Sequence, residues 1–307
     1  MSANPSLRAS SSAALSNSLP QHLHSTSSAE QLIFTVDSFD NGVAFGSHKK
    51  ESHQDSRDCF ALRVHEDSDL VKLRSRYTLH RKNLLHELER RLMRISDSGR
   101  LASSTIYFGV ATDPFHPFEG KFDASMRFLE LFKRYTPGKL IIQTRSPLLV
   151  LAMPIFQRLG EHVALTIGVE THCDRMAQRY TPHLPRPSER LKAALTLKRF
   201  GLQVSLQVAP VLPYGDWRED ALRFAEELVM RSDHIYVNSI TDGTPELDRR
   251  VRRTNLAKKL ASDRKFFWLR RDSAVPLITA IERLDQIKLK VPRDKHMEDK
   301  QLSIFAA

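Results

Sequence analysis

Apolar residues along this chain take two alternating forms, short continuous runs and longer stretches with three- and four-residue spacing. Leu32-Ile33-Phe34-Thr35-Val36 is the first run and predicts a strand. After a polar stretch over 37–58, Leu84, Leu85, Leu88, Leu92 and Ile95 share one helical face, and Gly99 ends that helix. The two forms then alternate to the C-terminal region. Strands are predicted over 105–110, 139–143, 163–169, 202–209, 234–238 and 266–269. Helices are predicted over 123–135, 147–159 with an interruption at Pro154, 188–200, 219–230, 247–260 and 275–284.

The strands read as apolar runs rather than strict alternations, the pattern of a parallel sheet covered by helices. The predicted fold class is α/β, a full or partial (β/α) barrel. It should occupy residues 31–285 as one domain, with a charged tail over 286–307. Residues 1–30 hold ten serines and no hydrophobic period, and disorder is expected there. No run reaches the roughly 18 apolar residues of a membrane helix, and no secretory signal pattern is present. A cytoplasmic protein with no membrane partner is expected.

Charge changes the picture in one region. The chain carries 47 Lys and Arg against 36 Asp and Glu, a net of +11. Between Asp248 and Lys300 there are 16 basic and 8 acidic side chains, a net of +8. Arg249, Arg250, Arg252, Arg253, Lys258 and Lys259 fall on one predicted helix. This segment is either a solvated helical surface or a contact for a polyanion such as nucleic acid. The two cysteines, Cys59 and Cys173, form no CxxC pair and suit a reducing compartment.

In barrels of this class the chemistry gathers at the C-terminal strand ends. Those ends read Gly109-Val110-Ala111-Thr112-Asp113-Pro114-Phe115-His116-Pro117-Phe118-Glu119, Thr144-Arg145-Ser146, Glu170-Thr171, Tyr180–Pro185 with Arg190-Leu191, and Ala209-Pro210-Val211-Leu212-Pro213. In this order they resemble the spore photoproduct lyase-like (DNA repair photolyase-like) family of the radical SAM superfamily, from about Phe108 to Thr241. The resemblance implies a barrel mouth that binds S-adenosylmethionine beside a four-iron, four-sulfur cluster. It places Thr112, Asp113, Thr144, Arg145, Ser146 and Glu170 around the cofactor. A cation held at a strand end can pair with the methionyl carboxylate, although Arg145 stands where the family has Lys. Two plainer readings compete: Thr112-Asp113-Pro114 as an Asx-type turn, and Glu170 as a helix-capping acid.

The same resemblance places a Cys-x3-Cys-x2-Cys loop after the first strand. Cys59-Phe60-Ala61 matches its third cysteine, and the family spacing then falls on Ser52 and Ser56. Cys59 is a remnant metal ligand under this reading. Iron–sulfur clusters need thiolates, and a serine hydroxyl stays protonated and hard at neutral pH. Loss of the cluster is expected, and catalytic residues cannot be assigned. His172-Cys173-Asp174 reads as a helix start, with a metal site as the alternative, and Cys173 is expected to be structural. No H-E-x-x-H, Walker A or G-x-S-x-G motif is present. Three functions remain open: a catalytically degenerate radical SAM-like protein that keeps the barrel and S-adenosylmethionine or nucleic-acid binding; an active radical SAM lyase with an unusual ligand set or cysteines from a partner; and a nucleic-acid-binding protein that works through its basic C-terminal third.

Overall fold

The computed structural model describes residues 33–36, 85–86, 88–109, 113–115 and 121–290. Seven strands form one sheet in strict chain order. They are β1 Ile33–Val36, β2 Thr105–Phe108, β3 Lys139–Thr144, β4 Val163–Gly168, β5 Val204–Val208, β6 His234–Val237 and β7 Leu289–Lys290. Every neighbouring pair is parallel. Between them run helices α1 (88–97), α2 Lys121–Arg134, α3 Met153–Leu159, α4 Asp174–Tyr180, α5 Pro187–Arg199, α6 Ala221–Arg231, α7 Pro245–Arg253, α8 Asn255–Ser262 and α9 Val275–Asp285.

Parallel strands in chain order need crossovers of one hand, and sterics make that hand right. The helices therefore cover one face, and the sheet curls around the other as an open (β/α) barrel. Phe108 of β2 points outward and meets Phe128 and Phe132 of α2 edge-on, at 6.0 Å in each case. Its neighbour Tyr107 points inward. Burial raises the Tyr107 phenol above its ordinary value, and Tyr236, four strands along the sheet, raises it further.

The inner face is polar although it is buried. In β5, Val204, Leu206 and Val208 alternate with Ser205 and Gln207, and all five are buried. Gln143 Nε2 on β3 donates to Gln207 Oε1 at 2.6 Å. A run of buried residues thus conceals a period-two pattern whose second face is polar and is linked across the sheet by the Gln143–Gln207 bond.

Four expectations need correction. The apolar run Phe266–Leu269 is a 3-10 turn, not a strand. Within it Trp268 is buried while Phe266 is 59% exposed, so the run anchors by one ring rather than by two faces. The last strand is β7, where Leu289 pairs with Ile235, so the sheet reaches Lys290. The basic helix over 247–260 is two helices, because Thr254 ends α7 in extended conformation and its Oγ1 caps α8 by accepting from Ala257 N at 3.1 Å. Pro154 does not break a helix. A 3-10 segment, Pro147–Ala152, passes into α3, and Pro154 lies in the first turn, where no hydrogen-bond donor is lost. The segments 1–30, 37–58 and 291–307 lie outside the described residues, and no helix among those described is long and apolar enough to cross a membrane.

Candidate functional site at the barrel mouth

The strand-end motifs converge. Gly109 closes β2 at φ +90°, and a Cβ there would stand 2.5 Å from the Gln143 carbonyl and from Pro114 Cδ. Only glycine lets the chain turn this close to β3. The turn delivers Asp113, which ties the two strand ends together. Its Oδ1 accepts from Thr144 Oγ1 at 2.6 Å and from Phe115 N at 3.0 Å, and its Oδ2 accepts from Arg145 N at 2.7 Å. The Phe115 bond is that of an Asx turn, the plainer of the two readings of this motif. Thr144 Oγ1 accepts from Ser146 N at 2.9 Å, and Ser146 Oγ caps the following 3-10 segment.

Arg145 is buried, with 2% of its surface exposed, and it crosses the mouth. Gly168 on β4 gives it room, since a Cβ there would lie 2.9 Å from Arg145 Cγ. Arg145 Nε donates to Glu170 Oε1, and its Nη2 donates to the Ala209 carbonyl at 3.2 Å. Arg190 on α5 donates from Nη1 to Glu170 Oε2 at 2.7 Å and to the Gly168 carbonyl. Its Nε and Nη2 have no hydrogen-bond partner among the described residues. Glu170 therefore sits at full burial between two guanidinium groups. Burial alone would raise its carboxyl, but Arg145 and Arg190 outweigh that and hold it at about 2. Next to the triad, Leu212 N donates to the Glu170 carbonyl at 2.8 Å and Thr171 Oγ1 donates to the Pro213 carbonyl at 2.9 Å.

The structure thus brings Asp113, Thr144, Arg145, Ser146 and Glu170 to one end of the barrel and gives each an internal partner. Glu170 is an ion-pair partner here, not a helix cap. Thr112, Ser52, Ser56 and Cys59 lie outside the described residues. Cys173 is half-buried and is the residue before α4, so 172–174 is the helix start read from the sequence. His172 packs against Phe224 with ring centroids 4.8 Å apart, and burial lowers its pKa, with Arg223 acting the same way. Asp174 accepts from Ser188 N and Oγ at 3.0 and 2.6 Å. Among the described residues no group of three or more His, Cys, Asp or Glu side chains could hold a metal ion.

Sequence reasoning placed Arg190 within a motif but missed its role. The signal was present: Arg190 falls on the buried stripe of α5 with Ala194 and Leu197. A cation on an apolar stripe requires a buried acid. Also missed was a group of aromatic rings in the loop after β5 and the 266–269 turn, where Trp217 and Phe267 stack with centroids 4.3 Å apart.

No family model matches this chain. It is 30% identical over 102 residues to uncharacterized protein ORF301 of Acidianus two-tailed virus, a match covering 33% of this chain and about a third (34%) of that relative's length. Among solved structures, a spore photoproduct lyase complexed with dinucleoside spore photoproduct aligns with a TM-score of 0.47 at 12% identity, covering 76% of this chain and 72% of that one. A mutant of spore photoproduct lyase gives 0.46 at 12%, covering 67% and 65%, so just under two thirds of that chain's length is matched.

Proposed function

We propose that this chain is a catalytically degenerate barrel of the spore photoproduct lyase-like, radical SAM type. In this reading it no longer carries out radical chemistry, and it acts by binding nucleic acid through its basic C-terminal region. The observation that carries the proposal is the internal engagement of the strand-end residues. The family resemblance gives Thr144, Arg145, Ser146 and Glu170 to the cofactor. Here Arg145 is buried against Glu170, Glu170 is shared with Arg190, and Thr144 holds Asp113. A buried cation already paired with a carboxylate is a poor receptor for a second carboxylate, because the incoming group must displace the first.

The donor set for the cluster does not fit either. Ser52, Ser56 and Cys59 supply one thiol where the family uses three, and the chain has one further cysteine, Cys173. One thiolate and two hydroxyls do not make the soft ligand set a four-iron, four-sulfur cluster requires.

The test is anaerobic reconstitution of the full chain with iron and sulfide, followed by iron and acid-labile sulfide analysis and calorimetric titration with S-adenosylmethionine. The expected result is no stoichiometric cluster and no reductive cleavage of S-adenosylmethionine. Four irons per chain would establish an active enzyme instead.

A further inference from the structure

The loop after β5 and the 266–269 turn meet in a ladder of rings and guanidinium groups. Trp217 and Phe267 are nearly parallel in their stack, at 11°. The Arg218 guanidinium lies 4.1 Å from the Trp217 ring centroid, and that of Arg270 lies 5.9 Å from Phe267. Buried Trp268 fixes the turn from below, edge-on to Tyr214 and Phe267. Phe266, one residue before the stack, is 59% exposed.

Leu269 of this turn lines a groove with Asp248, Val251 and Arg252 of α7. That helix exposes Arg249, Arg252 and Arg253. Two acids beside the groove are engaged. Asp272 binds Arg270 through two hydrogen bonds, at 2.9 and 2.6 Å, and Asp248 accepts from Thr241 Oγ1.

A single exposed ring is ordinary. An exposed ring beside a preformed aromatic stack, with guanidinium groups over the ring faces and a row of exposed arginines along the adjoining helix, is the composition that binds unpaired bases and their phosphates. We infer that the ledge of Phe266, Phe267 and Trp217, flanked by Arg218, Arg252 and Arg270, is a platform for single-stranded nucleic acid. The inference rests on the proposed reading of the basic region as a nucleic-acid contact, and it adds the strandedness and the residues. Base faces in a duplex are covered by their neighbours, so a ring that does not wedge base steps apart stacks on unpaired nucleotides. The guanidinium of Arg270 would exchange Asp272 for phosphate.

The experiment uses the full chain with a labelled oligothymidylate of about twelve nucleotides, a length within the range of single-strand sites, and a duplex of equal length. Anisotropy is followed from low to high salt. The two tryptophans of the chain, Trp217 and Trp268, both lie in the ladder, so their emission reports on this surface. The expected result is tighter binding of the single strand with quenched tryptophan emission. Phe266→Ala, at an exposed position, should weaken it by about 5- to 150-fold with unchanged melting and salt slope. The triple variant Arg249→Ser, Arg252→Ser, Arg253→Ser should flatten the salt slope, by close to one log unit for each phosphate that is no longer neutralised.

Salt-dependent binding that Phe266→Ala leaves untouched would overturn the ledge and keep the basic-region reading. Preferred binding of the duplex without tryptophan quenching would do the same. No binding of either nucleic acid at low salt would overturn both.

Discussion

Glu170 sits at full burial between Arg145 and Arg190. Removing its charge leaves two guanidinium groups buried without an anion, and loss of one partner of a buried pair typically costs about 3–5 kcal/mol. Glu170→Gln should therefore lower the urea midpoint markedly at pH 7. The pH dependence follows from the shift. The carboxyl stands at about 2 in the folded protein against an ordinary value of 4.5. Its stabilisation is fully present above pH 4.5 and fades as the pH falls towards 2. The gap in urea midpoint between parent and Glu170→Gln should narrow over that window, and a gap constant from pH 7 to pH 2 would show that the folded chain does not hold the Glu170 carboxyl below its ordinary value. The sequence revealed which residues gather at the mouth, because each motif follows a strand. It did not reveal their charge pairing. Arg145 and Glu170 are 25 residues apart, and only the parallel pairing of β3 with β4 makes them neighbours. An arginine read alone therefore looked like a free receptor for a ligand carboxylate.

At the scale of elements, hydrophobic spacing located the strands and most helices because each helix presents one apolar stripe and each strand is buried. It failed where an apolar run does not pair. Phe266–Leu269 looks like β4 or β5 in composition, but a run of four residues carries no periodicity that separates a strand from a turn anchored by Trp268. The polar inner face was also hidden, because the residues that fill it, such as Gln143 and Gln207, interrupt apolar runs only singly. Glycines mark where elements approach most closely, and two of them allow a comparison. Gly109 and Gly201 both have positive φ, at +90° and +77°. A Cβ on Gly201 would meet nothing within 4 Å, whereas one on Gly109 would strike the Gln143 carbonyl and Pro114. Gly201→Ala should cost only the left-handed penalty of about 1–2 kcal/mol. Gly109→Ala should cost clearly more, because β2 must also move away from β3. Urea midpoints of the two variants measure the difference, and equal midpoints would mean that the mouth tolerates that separation.

At the scale of the whole molecule, the proposed radical SAM-like reading leaves two alternatives, a barrel that lacks only its sulfurs and one that has changed throughout its mouth. The two alternatives predict different responses to the same substitution. If the family register holds, Ser52→Cys together with Ser56→Cys rebuilds a Cys-x3-Cys-x2-Cys loop ending at Cys59. Three thiolates at the family spacing supply a soft ligand set whatever the state of the strand ends, so iron and sulfide uptake should rise above the parent after anaerobic reconstitution. Cys59→Ala in that background should abolish the gain, which separates loop binding from adventitious iron at Cys173. Reductive cleavage of S-adenosylmethionine is a stricter demand, since it needs the mouth as well as the loop. With Arg145 paired to Glu170 and Thr144 bound to Asp113, the double variant should take up iron without cleaving the cofactor. Uptake with cleavage would show that the ion-pair network opens for the ligand and that two serines alone silence the enzyme. No uptake at all would place the change in the loop's path rather than in its side chains.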